Sequence, residues 1–232
     1  GFTVVSPATE AELYVVNTCT VTSKSEQKAR RYIRGLARRH AGALLVVTGC
    51  YAQLNRAELQ ELAENVLVVP QEHKARLLGL PEFLRAGGEL RREPAARWLE
   101  AGGESDGAQA PQASPFSFQV ERFSFHSRAF LKIQDGCDYG CAYCRVPLAR
   151  GASVSLAADE VLRRAARLES QGYREIVLTG VNICAYRHGE TGLPQLLAAL
   201  LAHTGSARLR LSSLEPERID GELAQVLGHE RI

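Results

Sequence analysis

The sequence predicts an α/β chain: a parallel-sheet domain followed by the first part of a β/α barrel. Three observations predict it. Short β-rich runs alternate with stretches of helical periodicity, which implies parallel pairing through crossover helices. A stretch rich in Gly, Pro, Ala, Ser and Gln divides this alternation in two. In both halves, residues capable of chemistry fall just past the carboxyl ends of the predicted strands. That is the edge at which open α/β sheets and β/α barrels bind ligands.

The elements follow in order. Leu13–Val16 is a strand ending in Asn17-Thr18-Cys19-Thr20. Ser23-x-x-Glu26 is a capping-box pattern that opens a helix through about His40. Ala43–Thr48 is a buried-type strand ending at Gly49-Cys50. Asn55-x-x-Glu58 opens a further helix, and Val66–Pro70 is a third strand. Residues 1–85 make the first domain. Residues 86–127 read as a flexible linker, most plainly at Ala101–Ser114, and Trp98 tacks this segment onto a domain. Residues 128–232 make the second domain. Phe130–Gln134 is a strand running into Asp135-Gly136-Cys137. Asp159–Ser170 carries Val161, Leu162, Ala165 and Leu168 at helical spacing, and Gly172 suits its C-terminal cap. Glu175–Thr179 is a strand leading to Gly180-Val181-Asn182, and Leu193–His203 is a helix. Arg208–Leu211 is a strand leading to Ser212-Ser213-Leu214-Glu215-Pro216, and Gly221–Leu227 is a helix. Three strand–helix units are too few for a barrel, so the second domain is expected to be truncated at Ile232. The chain begins with Gly and contains no Met, as expected of a fragment.

The composition bounds the function. A hydrophobic content of 45% in 232 residues is enough to bury a core. The net charge of +2 carries no argument about partners. Arg outnumbers Lys, which stands only at 24, 28, 74 and 132, and that preference alone does not signal nucleic acid. Six Cys without a secretory leader predict a reducing, cytoplasmic setting, where clustered thiols mean metal or catalysis more often than disulfides. No run is apolar enough to span a membrane.

Cys137, Cys141 and Cys144, with three and then two residues between them, lie in a Gly-containing loop. A four-iron cluster normally takes four thiolates. Three thiols leave one iron open to a non-protein ligand, as S-adenosylmethionine cleavage requires. With Tyr143 just before the last Cys, this pattern resembles the radical S-adenosylmethionine (SAM) superfamily. A zinc site wants a fourth Cys or His at short spacing, and none follows Cys144. A disulfide framework is disfavoured by the missing leader, and buried structural Cys by the loop composition. Cys19 and Cys50 each follow a predicted strand. They are candidate ligands by position, or two incidental small hydrophobes.

Longer stretches extend the resemblance over nearly the whole chain apart from the linker. Val16–Thr22, Thr48–Gln53 and Ile133–Gly151 resemble the tRNA methylthiotransferases. Ile176–Ile183 and Arg210–Pro216 resemble the branch acting on N6-threonylcarbamoyladenosine. The resemblance implies an N-terminal α/β domain and a radical-SAM partial β/α barrel. It implies two 4Fe-4S clusters: a radical cluster on Cys137, Cys141 and Cys144, and an auxiliary cluster on Cys19, Cys50 and a third Cys upstream of Gly1. It implies methylthiolation of C2 of the modified adenine next to the anticodon, with S-adenosylmethionine as cofactor. The partners implied are a tRNA anticodon loop, whose bases splay out at low cost, and an electron donor such as a flavodoxin or ferredoxin.

Other residues carry two readings each. Tyr143 packs near the cofactor's adenine or merely fills the loop. Thr179, Gly180 and Asn182 contact the cofactor's methionine or ribose part, with Gly180 allowing close approach, or form a plain strand-to-helix turn. Ser212 and Glu215 line the site or start a helix before Pro216. Arg150 is a candidate for phosphate or a substrate carboxylate. Lys28, Arg30, Arg31, Arg34, Arg38 and Arg39 lie on one helix, where Arg31, Arg34 and Arg38 share a face; they contact tRNA phosphate or form a solvated face. Cys184 is read as a small hydrophobe, and the six His make no metal pattern. An iron–sulfur electron carrier or scaffold is the competing class, but would complete each cluster with a fourth Cys. A radical enzyme acting on another tRNA base or a protein side chain is disfavoured by analogy alone. Residues 1–232 by themselves are expected to be inactive in tRNA thiolation.

Overall fold

The computed structural model describes residues 2–5, 9–101, 114–117 and 127–232. The chain divides into two compact units, residues 1–117 with 143–149, and residues 118–142 with 150–232.

The first unit contains β1 (Leu13–Thr18), α1 (Ser23–Arg39), β2 (Leu44–Gly49), α2 (Cys50–Leu54), α3 (Arg56–Gln60), β3 (Val66–Val68), α4 (Leu80–Arg85) and α5 (Arg92–Ala101). The strands form a parallel sheet in the order β1-β2-β3, in register from Leu13 opposite Leu44 to Thr18 opposite Gly49. All six residues of β2 are buried, because a central parallel strand is covered on both faces. Leu45 and Val47 pack with Ile33 and Leu36 of α1. Leu44 and Val46 pack on the other face with Ala95 and Leu99 of α5. Each of these Val, Leu and Ile side chains contributes about 1.5–3 kcal/mol when withdrawn from water.

This second face corrects the linker boundary. Residues 92–101 are not linker but the helix that covers the sheet, and Trp98 stacks on Phe83 with ring centres 5.0 Å apart. Most of Ala101–Ser114 lies outside the described residues. The cap of α1 also differs from expectation. Thr22, not Ser23, is the N-cap: its hydroxyl accepts from the Ser25 N–H, and Ser25 Oγ accepts from the Thr22 N–H. Glu26 is unavailable for the box because its carboxylate accepts from the Thr20 hydroxyl and pairs with Arg145. At the next helix Asn55 makes no side-chain cap. Glu58 instead accepts from the buried Tyr51 hydroxyl at 2.7 Å and pairs with Arg30 at 3.1 Å.

The second unit contains β4 (Ala129–Lys132), β5 (Gln134–Asp135), β6 (Val154–Ser155), α7 (Ala158–Ser170), β7 (Glu175–Thr179), β8 (Arg187–His188), β9 (Thr191–Gly192), α8 (Leu193–His203), β10 (Arg208–Leu211) and α9 (Gly221–Leu227). Before β6, α6 (Val146–Arg150) begins in the segment grouped with the first unit. The main sheet is parallel, in the order β10-β7-β4. The expected strand Phe130–Gln134 is split at Ile133, whose N–H donates to Thr179 O while its carbonyl accepts from Leu156 N–H. Beyond it, β5 turns away to pair antiparallel with β6. Helix α7 ends as its sequence predicts: Gly172 has φ +92°, and the Tyr173 and Gly172 N–H groups return to the Leu168 and Glu169 carbonyls. Among the described residues no helix is long and apolar enough to cross a membrane.

The hydrogen bond from the Ser25 N–H to the Thr22 hydroxyl has a measurable worth. Thr22→Ala should destabilise the chain by about 1 kcal/mol, and Thr22→Ser should be nearly neutral. Urea unfolding midpoints of the three proteins check this.

Candidate functional site

Each unit presents thiols at the carboxyl edge of its parallel sheet. In the first, Cys19 and Cys50 each stand one residue beyond the register partners Thr18 and Gly49. Neighbouring strands lie about 4.8 Å apart, so the two thiols issue side by side. Cys19 is exposed and Cys50 half-buried. Thr18 holds the two strand ends together: its hydroxyl donates to Thr48 O at 2.6 Å and accepts from the Ala52 N–H at 3.2 Å. Gly49 adopts φ +100°, and a Cβ there would lie 2.3 Å from the Thr18 carbonyl oxygen. Glycine is therefore the residue that lets Cys50 follow β2 so closely.

The second unit repeats the device. Gly136 has φ +70°, and a Cβ would stand 1.9 Å from the Ala152 carbonyl oxygen. The next residue, Cys137, donates its N–H to Gly151 O at 3.1 Å. Its sulfur accepts from the Tyr139 N–H, and Asp138 accepts from the Ser153 N–H at 3.0 Å. Cys141 is exposed and Cys144 half-buried. All six cysteines are free thiols. Among the described residues no three Cys, His, Asp or Glu converge on one point, as ligands of a single ion must. The thiols of a cubane each take a different iron and need not converge. The donor set, all thiol and without a fourth partner nearby in sequence, fits a cluster with one open iron.

Gln134 organises this loop, and the sequence reading missed it. The residue is fully buried. Its Oε1 accepts from the Val181 and Asn182 N–H groups, both at 2.9 Å. Its Nε2 donates to the Asp135 and Gly136 carbonyls at 3.0 and 2.8 Å, and to Ser153 Oγ at 2.9 Å. One carboxamide thus ties the turn after β7 to the cysteine loop. The only advance signal is its place directly before Asp135-Gly136-Cys137. Gly180 is explained by the same side chain. Its missing Cβ would meet Gln134 Oε1 at 2.8 Å, so the close approach there is made by Gln134.

The candidate cofactor residues of the second unit fall on one edge. Thr179 ends β7 and Asn182 follows it, while Ser212 and Glu215 follow the adjacent strand β10. Asn182 is 2% exposed, and its Oδ1 has no hydrogen-bond partner among the described residues. A buried acceptor without a donor is costly, and a bound polar ligand would supply the donor. Ser212 Oγ donates to Leu178 O at 3.1 Å. Tyr143 is 88% exposed, so it does not serve loop packing. Two residues differ from expectation. Arg150 pairs with Asp135 at 2.9 Å, because Asp135 is a buried carboxylate that needs cations. Cys184 is not merely a small hydrophobe: its sulfur accepts from the Glu215 N–H at 3.4 Å, which latches the loop after β10. Burial pushes the Asp135 carboxyl up, but hydrogen bonds and charge from Lys132 and Arg150 outweigh it and hold the group below its ordinary value.

Residues 131–225 match the Radical SAM superfamily, and residues 1–70 match Uncharacterized protein family UPF0004. A radical SAM methyltransferase, TsrM from Kitasatospora setae, superposes with a TM-score of 0.56 at 16% identity, covering 95% of this chain and 48% of that one. The second unit is a radical SAM domain. Threonylcarbamoyladenosine tRNA methylthiotransferase MtaB of Treponema pallidum is 37% identical over 95% of this chain and 55% of its own length. Its namesakes in Bacillus subtilis and Aquifex aeolicus are 35% and 34% identical, over 94% and 98% of this chain and 46% and 53% of their own lengths. This chain is similar to these methylthiotransferases over nearly its whole length, and spans about half the length of these relatives.

Two measurements follow. Gln134→Leu leaves two amides and two carbonyls without their partner, and should cost about 3 kcal/mol in urea unfolding while lowering iron bound per chain. Because the folded Asp135 carboxyl titrates below its unfolded value, its stabilising contribution is complete above about pH 4 and is lost as pH falls through the folded value. The stability gap between the parent chain and Asp135→Asn should therefore be widest near neutral pH and close at lower pH.

Proposed function

We propose that this chain is the catalytic part of a radical SAM enzyme that methylthiolates C2 of N6-threonylcarbamoyladenosine beside the anticodon of tRNA. The observation that carries the reading is that Cys19 and Cys50 stand one residue past the register-paired ends of β1 and β2, while Cys137 follows β5 behind a left-handed glycine. Cys137, Cys141 and Cys144 would hold a four-iron cluster with one open iron. Cys19 and Cys50 would supply two ligands of an auxiliary four-iron cluster. Bound there, these groups supply one-electron reductive cleavage of S-adenosylmethionine and a source of sulfur.

The chain's own residues do the positioning. Gln134 fixes the cysteine loop against the turn that carries Asn182. Asn182 Oδ1 offers a buried acceptor to a polar donor of S-adenosylmethionine. Thr179, Ser212 and Glu215 line the same edge, and the exposed Tyr143 ring is available to the adenine. Gly180 acts indirectly, by admitting Gln134. Asp135, held ionised by Lys132 and Arg150, keeps the loop's entry strand in place. The electron would come from a small redox protein such as a flavodoxin or ferredoxin, in the cytoplasm where tRNA is modified.

The test is anaerobic reconstitution of the full-length protein with iron and sulfide, followed by EPR before and after S-adenosylmethionine. A four-iron signal that shifts with the cofactor, and is lost in Cys141→Ala, is expected. The same protein should add a methylthio group to threonylcarbamoylated tRNA, read as a mass increase of the nucleoside. A cluster indifferent to S-adenosylmethionine would overturn the radical reading, and an unmodified tRNA would overturn the substrate.

A further inference from the structure

The surplus positive charge of this chain is concentrated on one helix. Helix α1 holds seven of the 28 basic residues and one of the 26 acidic ones. It is therefore net +6, and the rest of the chain is net −4 against a whole-chain charge of +2. At 100° per residue, Lys24, Lys28, Arg31, Arg34, Arg38 and Arg39 fall within an arc of about 140° and along about 22 Å of axis. All six are exposed. The opposite side, with Ile33, Leu36 and Ala37, is buried against the sheet.

No carboxylate among the described residues pairs with this stripe. Among the described residues the ion pairs of α1 are Arg30 with Glu58 and Glu26 with Arg145, so its acidic residue and its seventh cation are both engaged away from the stripe. No acidic side chain pairs with the other six among the described residues. Lys24–Lys28, Lys28–Arg31, Arg31–Arg34 and Arg34–Arg38 are like charges at i,i+3 or i,i+4, spacings that weaken a helix. An ordinary solvated face alternates signs and avoids that cost. The stripe also has a direction. It begins at Lys24, five residues past Cys19 at the carboxyl edge of the sheet, and runs back along β1. Tyr32, 48% exposed, borders it and offers a face for a base to stack on.

We propose that the outward face of α1 binds the phosphate backbone of RNA; under the reading above, this RNA is the tRNA substrate, led toward the Cys19–Cys50 edge. A polyanionic chain matches a cation row of this length and releases condensed counterions on binding. An anionic membrane matches less well, because the apolar side of α1 is already buried and has nothing to insert.

The test uses full-length protein reconstituted with iron and sulfide, and the triple variant R31Q/R34Q/R38Q. Binding to tRNA is measured across a series of salt concentrations. The variant should bind at least tenfold more weakly, and its slope of log affinity against log salt should be shallower by about 2. Its cluster EPR should be unchanged, and Arg85→Gln with Arg97→Gln, elsewhere on this unit, should leave affinity and slope as they were. Equal affinity and slope in parent and triple variant overturn this proposal and leave the tRNA reading standing. A parent protein that binds no tRNA overturns both. Tighter binding to phosphatidylserine vesicles than to tRNA, abolished in the triple variant, assigns the stripe to a membrane and overturns the RNA proposal. If the triple variant fails to fold, the three single variants decide: each should flatten the slope by about 0.7, and three unchanged slopes overturn it.

Discussion

A buried carboxamide is stable only where its acceptor and both donors are met. Gln134 meets this by bonding at once to its own loop and to a turn nearly fifty residues later. The geometry of the second unit depends on that bridge. It sets where the cysteine loop leaves β4, why residue 180 has no side chain, and where the Asn182 amide is held. Asp135 reinforces it from the neighbouring position, through Lys132 on the strand and Arg150 past the loop. The loop is exposed at its tip and is anchored at both ends by buried polar groups. This gives thiols access to a ligand without letting the backbone wander.

The strands and helices of the second unit were legible to the residue where apolar runs meet clear punctuation. Glu175–Thr179, Leu193–His203, Arg208–Leu211 and Gly221–Leu227 are such cases. Composition misled where it spoke against structure. The stretch around residue 92 is rich in Arg, Glu, Pro and Ala, and nothing local reveals that β2 has a second face requiring cover. That requirement exists only once the sheet is assembled. The split at Ile133 was hidden for a related reason: strand propensity is continuous through it, and the break is made by bonds to Thr179 and Leu156.

The site divides in the same way. Thiols announce themselves by type and spacing, and the strand-end positions of Thr179, Asn182, Ser212 and Glu215 follow from topology. Partnerships do not. Whether an Arg faces a substrate or a buried carboxylate depends on which carboxylate is buried, and Arg150 belongs to Asp135. Whether a Cys is filler or latch depends on what backbone comes near, and Cys184 meets Glu215.

Cys50 and Cys137 share a neighbour of the same kind, a left-handed glycine whose absent Cβ would collide with backbone. In a survey of random variants, Gly49 and Gly136 should thus score with the thiols themselves. A map of intolerant positions would then mark residues that carry no functional group at all and act only by letting two peptide groups lie closer than any side chain permits.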